Sequence, residues 1–219
     1  DADANSNLNE VLGVKVDTTL GDVREEIAQA EMAAKSPIPA GMSKADYAEV
    51  RFEDALIEDD DFDLLVMGRT QGKGCYCYVN GLLQAQLAKY QNNYPYFVVD
   101  NEAGMEHISR GVLPSMQTAI LVSDCSRRGI QEVGRIARLI EECNMHPSTV
   151  GLIVNRAPKG ELNPGVLEEI ENQGLNLLGV VPQNDAVYEY DCEGRPTASL
   201  PEDNPVKQAL RKIVDNLNL

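Results

Sequence analysis

Short apolar runs alternate with longer amphipathic segments from residue 64 onward. Each run is four or five residues long, whereas the segments between them repeat apolar residues every three or four positions. This alternation predicts strands joined by helices, and hence a mostly parallel sheet that is buried by helices on both faces. The predicted strands are 64–67, 96–99, 119–122, 150–154 and 177–181.

Amphipathic segments predict the helices. The first begins at Thr19 with Asp22 in its first turn, and further helices are predicted over 44–57, around 130–140 and over 206–217. The last of these carries little basic excess, so packing against the sheet is favoured over docking on a membrane. Together these elements predict a three-layer α/β fold.

Composition narrows the classes of partner. The chain has 219 residues, enough for one well-cored domain, and we expect a single domain over 1–219. Its 19 basic and 35 acidic residues give a net charge of −16, which opposes electrostatic binding to nucleic acid or to an anionic membrane. No apolar run approaches the roughly 20 residues of a membrane span, and no signal segment opens the sequence. We therefore expect a cytoplasmic protein.

Two thiols, Cys75 and Cys77, stand one residue apart in a chain with five cysteines. Glycines precede them at 72 and 74, and the apolar-periodic run 79–90 predicts a helix after them, where the helix dipole favours thiolates. Thiolates bind Zn²⁺, Ni²⁺ or Cu⁺, but the pair offers only two ligands, so a second copy of the chain could supply the others. The alternative is a pair of buried structural thiols; a disulfide across so short a ring is disfavoured.

Polar residues follow the predicted strands. Asp100, Asp124 and Asn155 each end an apolar run, and Pro182 follows the last one. In open parallel sheets, ligands bind beyond the carboxyl ends of the strands. An aspartate there can hold Mg²⁺ through its water shell, and an asparagine amide can offer a donor and an acceptor to a base edge. With Gly104, which allows a main-chain N–H to approach a phosphate, these positions indicate a nucleotide site.

Several stretches resemble one group of ATPases. Residues 1–9 resemble a first switch, residues 100–107 a second switch, and 63–69 lead into the motif Cys-Tyr-Cys-Tyr-Val-Asn at 75–80. The likeness extends to 194–196 and covers nearly the whole chain. The chain resembles the nickel-insertion accessory ATPases of carbon monoxide dehydrogenase and acetyl-CoA synthase, within the MinD, ParA and nitrogenase iron-protein group of dimeric P-loop ATPases.

This resemblance implies a MinD-like P-loop NTPase domain that binds ATP or ADP with Mg²⁺. Carried over by residue, it implies that Asp3 positions or activates the attacking water and that Asp100 supports Mg²⁺. Asn155, with Arg156 and the backbone after Pro182, would hold adenine. These roles are expectations drawn from the family.

The resemblance also implies a shared metal. Cys75 and Cys77 would join the same pair from the second subunit of a homodimer around one Ni²⁺ or Zn²⁺. ATP binding and hydrolysis would then alter the subunit interface and the hold on the metal, a reciprocal coupling. The implied recipient of nickel is carbon monoxide dehydrogenase or acetyl-CoA synthase.

One motif of the family is missing from the sequence. Members open with a strand and a Gly-Lys-Gly-Gly-Val-Gly-Lys-Thr loop that grips the phosphates, and the glycines at 72–74 are no substitute because no Lys-Thr pair follows them. We therefore expect the fold to be N-terminally truncated by roughly 35 residues, one βα unit. The chain would then lack a central strand, and ATP binding by this chain alone would be in doubt.

Three functions compete at this point. The first is an ATP-hydrolysing metallochaperone that delivers nickel. The second is a metal-binding dimerisation module that does not hydrolyse ATP, and the third is a partition- or division-type ATPase with structural cysteines. The acidic balance and the lack of a basic terminal helix count against the third.

Overall fold

The chain divides into two compact units, Asp1–Ala103 and Gly104–Leu219, in a computed structural model. The structure describes residues 1–3, 5–32, 38–69, 87–104 and 116–217. Cys75 and Cys77 lie outside these ranges, so their role stays a prediction from the sequence. Each unit is described by itself below.

The second unit is built on a parallel three-stranded sheet. Strands β3 (Thr118–Asp124), β4 (Thr149–Ala157) and β5 (Leu177–Pro182) lie in the order β3-β4-β5, and they include the last three strands predicted from the sequence. In the middle strand, residues 151–154 are all buried, as expected for a parallel strand covered on both faces.

Helices cover both faces of this sheet. On one face, α4 (Arg127–Glu142) and α5 (Pro164–Asn172) form a core with β3 and β4; on the other, Ile213 of α7 (Pro205–Leu217) packs on β4 and β5. Helix α6 (Asp185–Cys192) follows β5. The three-layer α/β fold is confirmed, and the C-terminal helix packs on the sheet as predicted. None of the described helices combines the length and apolar character that crossing a bilayer requires.

Polar side chains join α4 to α5 beside this core. Arg127 Nε donates to Glu169 Oε2 over 2.6 Å, and Gln173 Nε2 donates to Glu169 Oε1 over 2.9 Å. Arg138 Nη1 donates to Gln173 Oε1 over 3.0 Å. Gly134 permits this approach, because a Cβ there would lie 2.3 Å from that same Oε1 atom. Glu169 is only 4% exposed, and hydrogen bonds from Gln173 and then Arg127 lower the pKa of its carboxyl group.

The described residues of the first unit form helices and a short hairpin, and residues 87–91, the described end of the helix predicted over 79–90, are helical too. Helices α1 (Leu8–Leu12), α2 (Leu20–Met32) and α3 (Lys44–Asp54) precede an antiparallel pair, β1 (Ile57–Glu58) and β2 (Asp63–Leu64). The helices predicted from Thr19 and over 44–57 are thereby confirmed, although the second ends earlier than expected.

A buried apolar cluster and one ion pair hold α2 against α3. Ile27 of α2 and Phe52 of α3 are among the buried members of the cluster. The Arg51 guanidinium also donates two hydrogen bonds of 2.8 Å each to the Glu26 carboxylate. Paired bonds of this kind fix the relative orientation of two side chains as well as attracting them.

Two predicted strands are wrong in this unit. Of 64–67 only Leu64 belongs to a strand, and 96–99 contains none. The backbone of 65–67 makes its hydrogen bonds to other parts of the unit. Val66 O accepts from Leu20 N over 2.9 Å and Met67 O from Gly21 N over 2.7 Å, at the start of α2, while Leu65 O and Met67 N bond to Asp1. No strand of the described residues pairs with 96–99, where Val98 is 87% exposed. An apolar run becomes a strand only when a neighbour satisfies its backbone groups.

Replacing Glu169 with Gln is expected to lower the free energy of unfolding at neutral pH, because the charged acceptor of Arg127 is lost. Folding lowers the pKa of Glu169 from its ordinary value of 4.5, so its carboxylate stabilises the fold above that pH and ceases to do so as the pH falls through the folded-state pKa. Urea unfolding from about pH 3 to about pH 7 should show the two proteins converging in acid. The control Glu171→Gln changes an exposed residue of the same helix, and its unfolding free energy should equal that of the wild type across this pH range. A difference in unfolding free energy between Glu169→Gln and the wild type that stayed the same at every pH would contradict this role of the Glu169 carboxylate.

Candidate nucleotide-binding site

The carboxyl ends of β3, β4 and β5 form one edge of the sheet. Their parallel register sets Asp124 opposite Asn155 and Ala157 opposite Pro182. The structure therefore places Asn155, Arg156 and Pro182 at this one edge. This edge is where ligands bind in open parallel sheets.

Asn155 and Arg156 lie in an irregular stretch at the end of β4. The register of β4 against β5 shifts between Val154 and Ala157, and Arg156 adopts a left-handed φ of 56°. The Asn155 side chain stabilises this irregularity, since its Oδ1 accepts from Arg156 N over 2.8 Å. No described residue accepts from Asn155 Nδ2 or from the exposed Arg156 guanidinium. The end of β4 thus offers an amide donor and a cation at the edge of the sheet.

Asp124 has a structural role in the same edge. Its Oδ1 accepts from the Ser126 hydroxyl over 2.6 Å and from Ser126 N over 2.9 Å, and these bonds lower the pKa of its carboxyl group. The Ser126 hydroxyl in turn accepts from Gly129 N over 3.0 Å and caps α4. Asp124 therefore fixes the turn that leads into α4, and a Mg²⁺ role for it stays a prediction.

The chain leaving β5 is held by residues that the sequence analysis did not single out. Gln183 N donates to Ala157 O over 2.9 Å, which extends the contact between the two strand ends. Asn184 caps α6 through Ala186 N over 3.1 Å, and it also accepts from Nδ2 of Asn204 over 3.2 Å. The caps had a local signal, namely Asn before Asp185 and Asn before Pro205, but their mutual contact had none.

Asp3 lies in a tightly hydrogen-bonded turn of the first unit. Its Oδ1 accepts from Asn5 N over 2.7 Å and its carbonyl accepts from the Ser6 hydroxyl over 2.8 Å. The Asp1 carboxylate also stabilises the turn, because it accepts from Asp3 N over 3.0 Å and from Leu8 N over 3.1 Å. The main chain and the side chain of Asp3 are thus fixed by residues that are close in sequence.

The same turn holds the chain at Gly68 and Arg69. The Ser6 hydroxyl accepts from Gly68 N over 3.0 Å, and Asn5 Oδ1 accepts from Arg69 Nη2 over 3.0 Å. Gly68 has φ 67°, and a Cβ there would lie 2.3 Å from Oγ1 of Thr19, so only glycine fits. The segment carrying Asp3 is therefore bonded directly to the chain that continues toward the cysteine motif.

Asp100 lies close to this turn. Its carbonyl oxygen accepts from N of Ala2, the residue directly before Asp3, over 2.8 Å. No described residue donates a hydrogen bond to the exposed Asp100 carboxylate, which leaves it able to hold the water shell of a cation. Gly104 has φ 105° with open space at its Cβ position, a conformation that favours glycine. Its approach to a phosphate stays a prediction.

Replacing Ser6 with Ala is expected to destabilise the first unit by about 1–2 kcal/mol, because the hydroxyl makes one bond to Gly68 and one to Asp3. Urea unfolding measures the loss, and hydrogen exchange should show faster exchange of the Gly68 amide. The matched control is Ser199→Ala, which removes a single exposed bond to Pro196 O and should change stability by less than about 0.5 kcal/mol. Unchanged exchange at Gly68 would contradict the assignment.

Comparison with known proteins identifies the family. Residues 1–197 match the CobQ/CobB/MinD/ParA nucleotide binding domain. An uncharacterised ATP-binding protein of Methanocaldococcus jannaschii is 38% identical over 99% of this chain and 85% of its own length. The carbon monoxide dehydrogenase accessory protein CooC of Rhodospirillum rubrum is 26% identical over 65% of this chain and 54% of its own length.

A solved structure supports the same fold. The septum site-determining protein MinD of Pyrococcus horikoshii, complexed with Mg-ADP, matches 97% of this chain and 79% of its own with a TM-score of 0.67 and 20% sequence identity. The MinD-like P-loop NTPase fold expected from the sequence is therefore confirmed. The match over most of the chain shows that this protein belongs to the CobQ/CobB/MinD/ParA family of nucleotide-binding domains.

Proposed function

We propose that this protein is a cytoplasmic, ATP-dependent metallochaperone that inserts nickel into a carbon monoxide dehydrogenase or acetyl-CoA synthase. The family supports nucleotide binding, and the CooC protein that is 26% identical over 145 residues is named as a carbon monoxide dehydrogenase accessory protein. The thiol pair Cys75 and Cys77 supplies the chemistry for a soft metal ion.

Each unit carries residues that would suit one part of a nucleotide with Mg²⁺. Asn155 Nδ2 and the main chain after Pro182 would bind the adenine, and the Arg156 cation would favour the anionic ligand. In the first unit, the exposed carboxylate of Asp100 would hold the water shell of Mg²⁺; the Pyrococcus horikoshii MinD protein is named as a complex with Mg-ADP. Asp3 would orient the water that attacks the terminal phosphate.

The metal would be shared by two copies of the chain. Cys75 and Cys77 supply two thiolates, and the same pair from a second subunit would complete a four-coordinate site for Ni²⁺ or Zn²⁺. Nickel is then the cargo of the reaction, and the homodimer is the form that carries it. Its hold on nickel would depend on the nucleotide, because the coupling between two bound ligands is reciprocal.

One observation carries this proposal beyond nucleotide binding. The turn that contains Asp3 is bonded through Ser6 to Gly68 and through Asn5 to Arg69, a few residues before Cys75. A change at Asp3 on hydrolysis would therefore act on the chain that enters the cysteine motif. This direct bonding supports coupling between ATP hydrolysis and metal release.

A division-type ATPase is the second candidate. The fold is that of the MinD protein from Pyrococcus horikoshii, and the family includes MinD and ParA proteins. In such a protein Cys75 and Cys77 would be structural. A metal-binding module without hydrolysis is the third possibility, and turnover of ATP separates it from the first.

Replacing Asn155 with Ala, in the chain joined to a phosphate loop of the family, is expected to weaken ATP binding about tenfold, because a hydrogen bond to the base is lost. Titration calorimetry with Mg-ATP, together with phosphate release, measures binding and turnover. Asn176→Ala changes an exposed residue just before the amino end of β5, the opposite edge of the sheet, and should bind ATP like the wild type. Equal affinity of the Asn155 and Asn176 variants, or no turnover above background by the wild type, would contradict the proposed ATPase.

Nickel binding is expected at one ion per two chains, measured by metal analysis after desalting and by light scattering. Cys75→Ser or Cys77→Ser should abolish both the bound nickel and the metal-dependent dimer, because each leaves too few thiolates. Cys143→Ser and Cys192→Ser remove exposed thiols of the second unit and should leave both unchanged. Nickel that persists in the Cys75 and Cys77 variants would exclude the proposed metal site and favour the division-type candidate.

A further inference from the structure

Two asparagines connect the starts of α6 and α7. Asn184 Oδ1 accepts from Ala186 N at the start of α6, and Asn204 Oδ1 accepts from Val206 N over 2.9 Å at the start of α7. Asn204 Nδ2 then donates to Asn184 Oδ1 over 3.2 Å. The two side chains therefore cap one helix each and bond to one another.

The direction of this bond is fixed by the caps. Each Oδ1 receives a backbone N–H, so each side-chain amide has one orientation, and only Nδ2 of Asn204 can donate to Asn184. Asn204 is 8% exposed, and a buried polar group that lost its partner would be costly. This bond is thus a well-defined element of the structure.

The backbone of Asn204 is held at the start of α7. Its N donates to Pro201 O over 2.9 Å and its carbonyl accepts from Gln208 N over 3.0 Å. Further along α7, Ile213 is buried against Ile153 and Val181 of the sheet. Asn204 thus begins a helix that is anchored in the core of the second unit.

Asn184 lies two residues after Pro182, at the carboxyl edge of the sheet. Gln183, between them, donates its N–H to Ala157 O over 2.9 Å, and Ala157 follows Arg156. A fixed position of Asn184 therefore also fixes the main chain between Pro182 and Asn184, which lies beside the end of β4. Loops at such edges bind tightly only when their geometry is set before the ligand arrives.

We infer that Asn184 and Asn204 form a clamp that holds the main chain after Pro182 in the position that binds the nucleobase. The inference rests on the proposed nucleotide binding and assigns both asparagines as positioning residues. Neither needs to touch the nucleotide. The clamp should affect recognition of the base while leaving recognition of the phosphates unchanged.

Asn204→Ser, in the same chain joined to a phosphate loop of the family, tests the clamp. Serine keeps an oxygen that caps α7 but is too short to reach Asn184, so the variant removes only the bond between the caps. Mg-ATP affinity is expected to fall about fivefold, while the affinity for inorganic tripolyphosphate stays unchanged. Hydrogen exchange of the Gln183 amide should become faster even without nucleotide.

Two further variants make the test specific. Asn184→Ser cuts the same bond from the other side, and the double variant should be no worse than either single one, because both remove one interaction. Asn163→Ser is the matched control, since Asn163 caps α5 through Gly165 N over 2.9 Å without a bond to a second cap. It should leave ATP affinity and Gln183 exchange unchanged.

Each outcome decides the inference. Wild-type ATP affinity or wild-type Gln183 exchange in both clamp variants would overturn it, as would an equal loss of affinity for ATP and tripolyphosphate. A wild-type chain that binds tripolyphosphate but shows no preference for ATP would also overturn it while leaving a phosphate site. Binding of neither compound by the wild type would contradict the proposed function itself, and with it the assignment of the clamp to a base.

Discussion

The pairing of β4 with a strand on each side is the constraint on which the second unit depends. Leu152 and Val154 face the core with α4 and α5, whereas Ile153 faces α7, so β4 must be apolar on both faces. A slip of one residue would exchange these faces and bury the wrong set. The register that the core enforces is the same register that sets Asp124 opposite Asn155. Packing in the middle of the sheet therefore determines which polar groups meet at its edge.

The periodicity of apolar residues predicted the second unit well because each element there buries a face of its own. It failed for 96–99, since a sequence pattern reports apolar character but not whether a neighbouring strand is present to accept its hydrogen bonds. At the candidate site, strand ends could be located from sequence, which brought out Asn155 and Pro182. The bond between Asn184 and Asn204 joins residues 20 positions apart, and no local pattern encodes it.

The net charge of the protein limits how it can bind an anionic ligand such as a nucleotide. With a net charge of −16, the protein as a whole repels an anionic ligand, so binding must rely on local groups that act at short range. The exposed cation of Arg156 offers one such group at the carboxyl edge of the sheet. The Arg127 charge is not available in this way, because Glu169 already neutralises it.

The hydrogen bonds of residues 1–3 also have a consequence for the order of folding. Asp1 N donates to Leu65 O over 2.8 Å, Met67 N donates to Asp1 O over 2.8 Å, and Ala2 N donates to Asp100 O. During synthesis on the ribosome, the bond of Ala2 cannot form until the chain has been made as far as Asp100. By contrast, β3, α4, β4, α5 and β5 are neighbours in sequence and can pack together as they emerge. Contacts that span much of a chain close slowly, because loop entropy is lost before they form. The Asp3 turn should therefore be among the last parts of its unit to mature during synthesis.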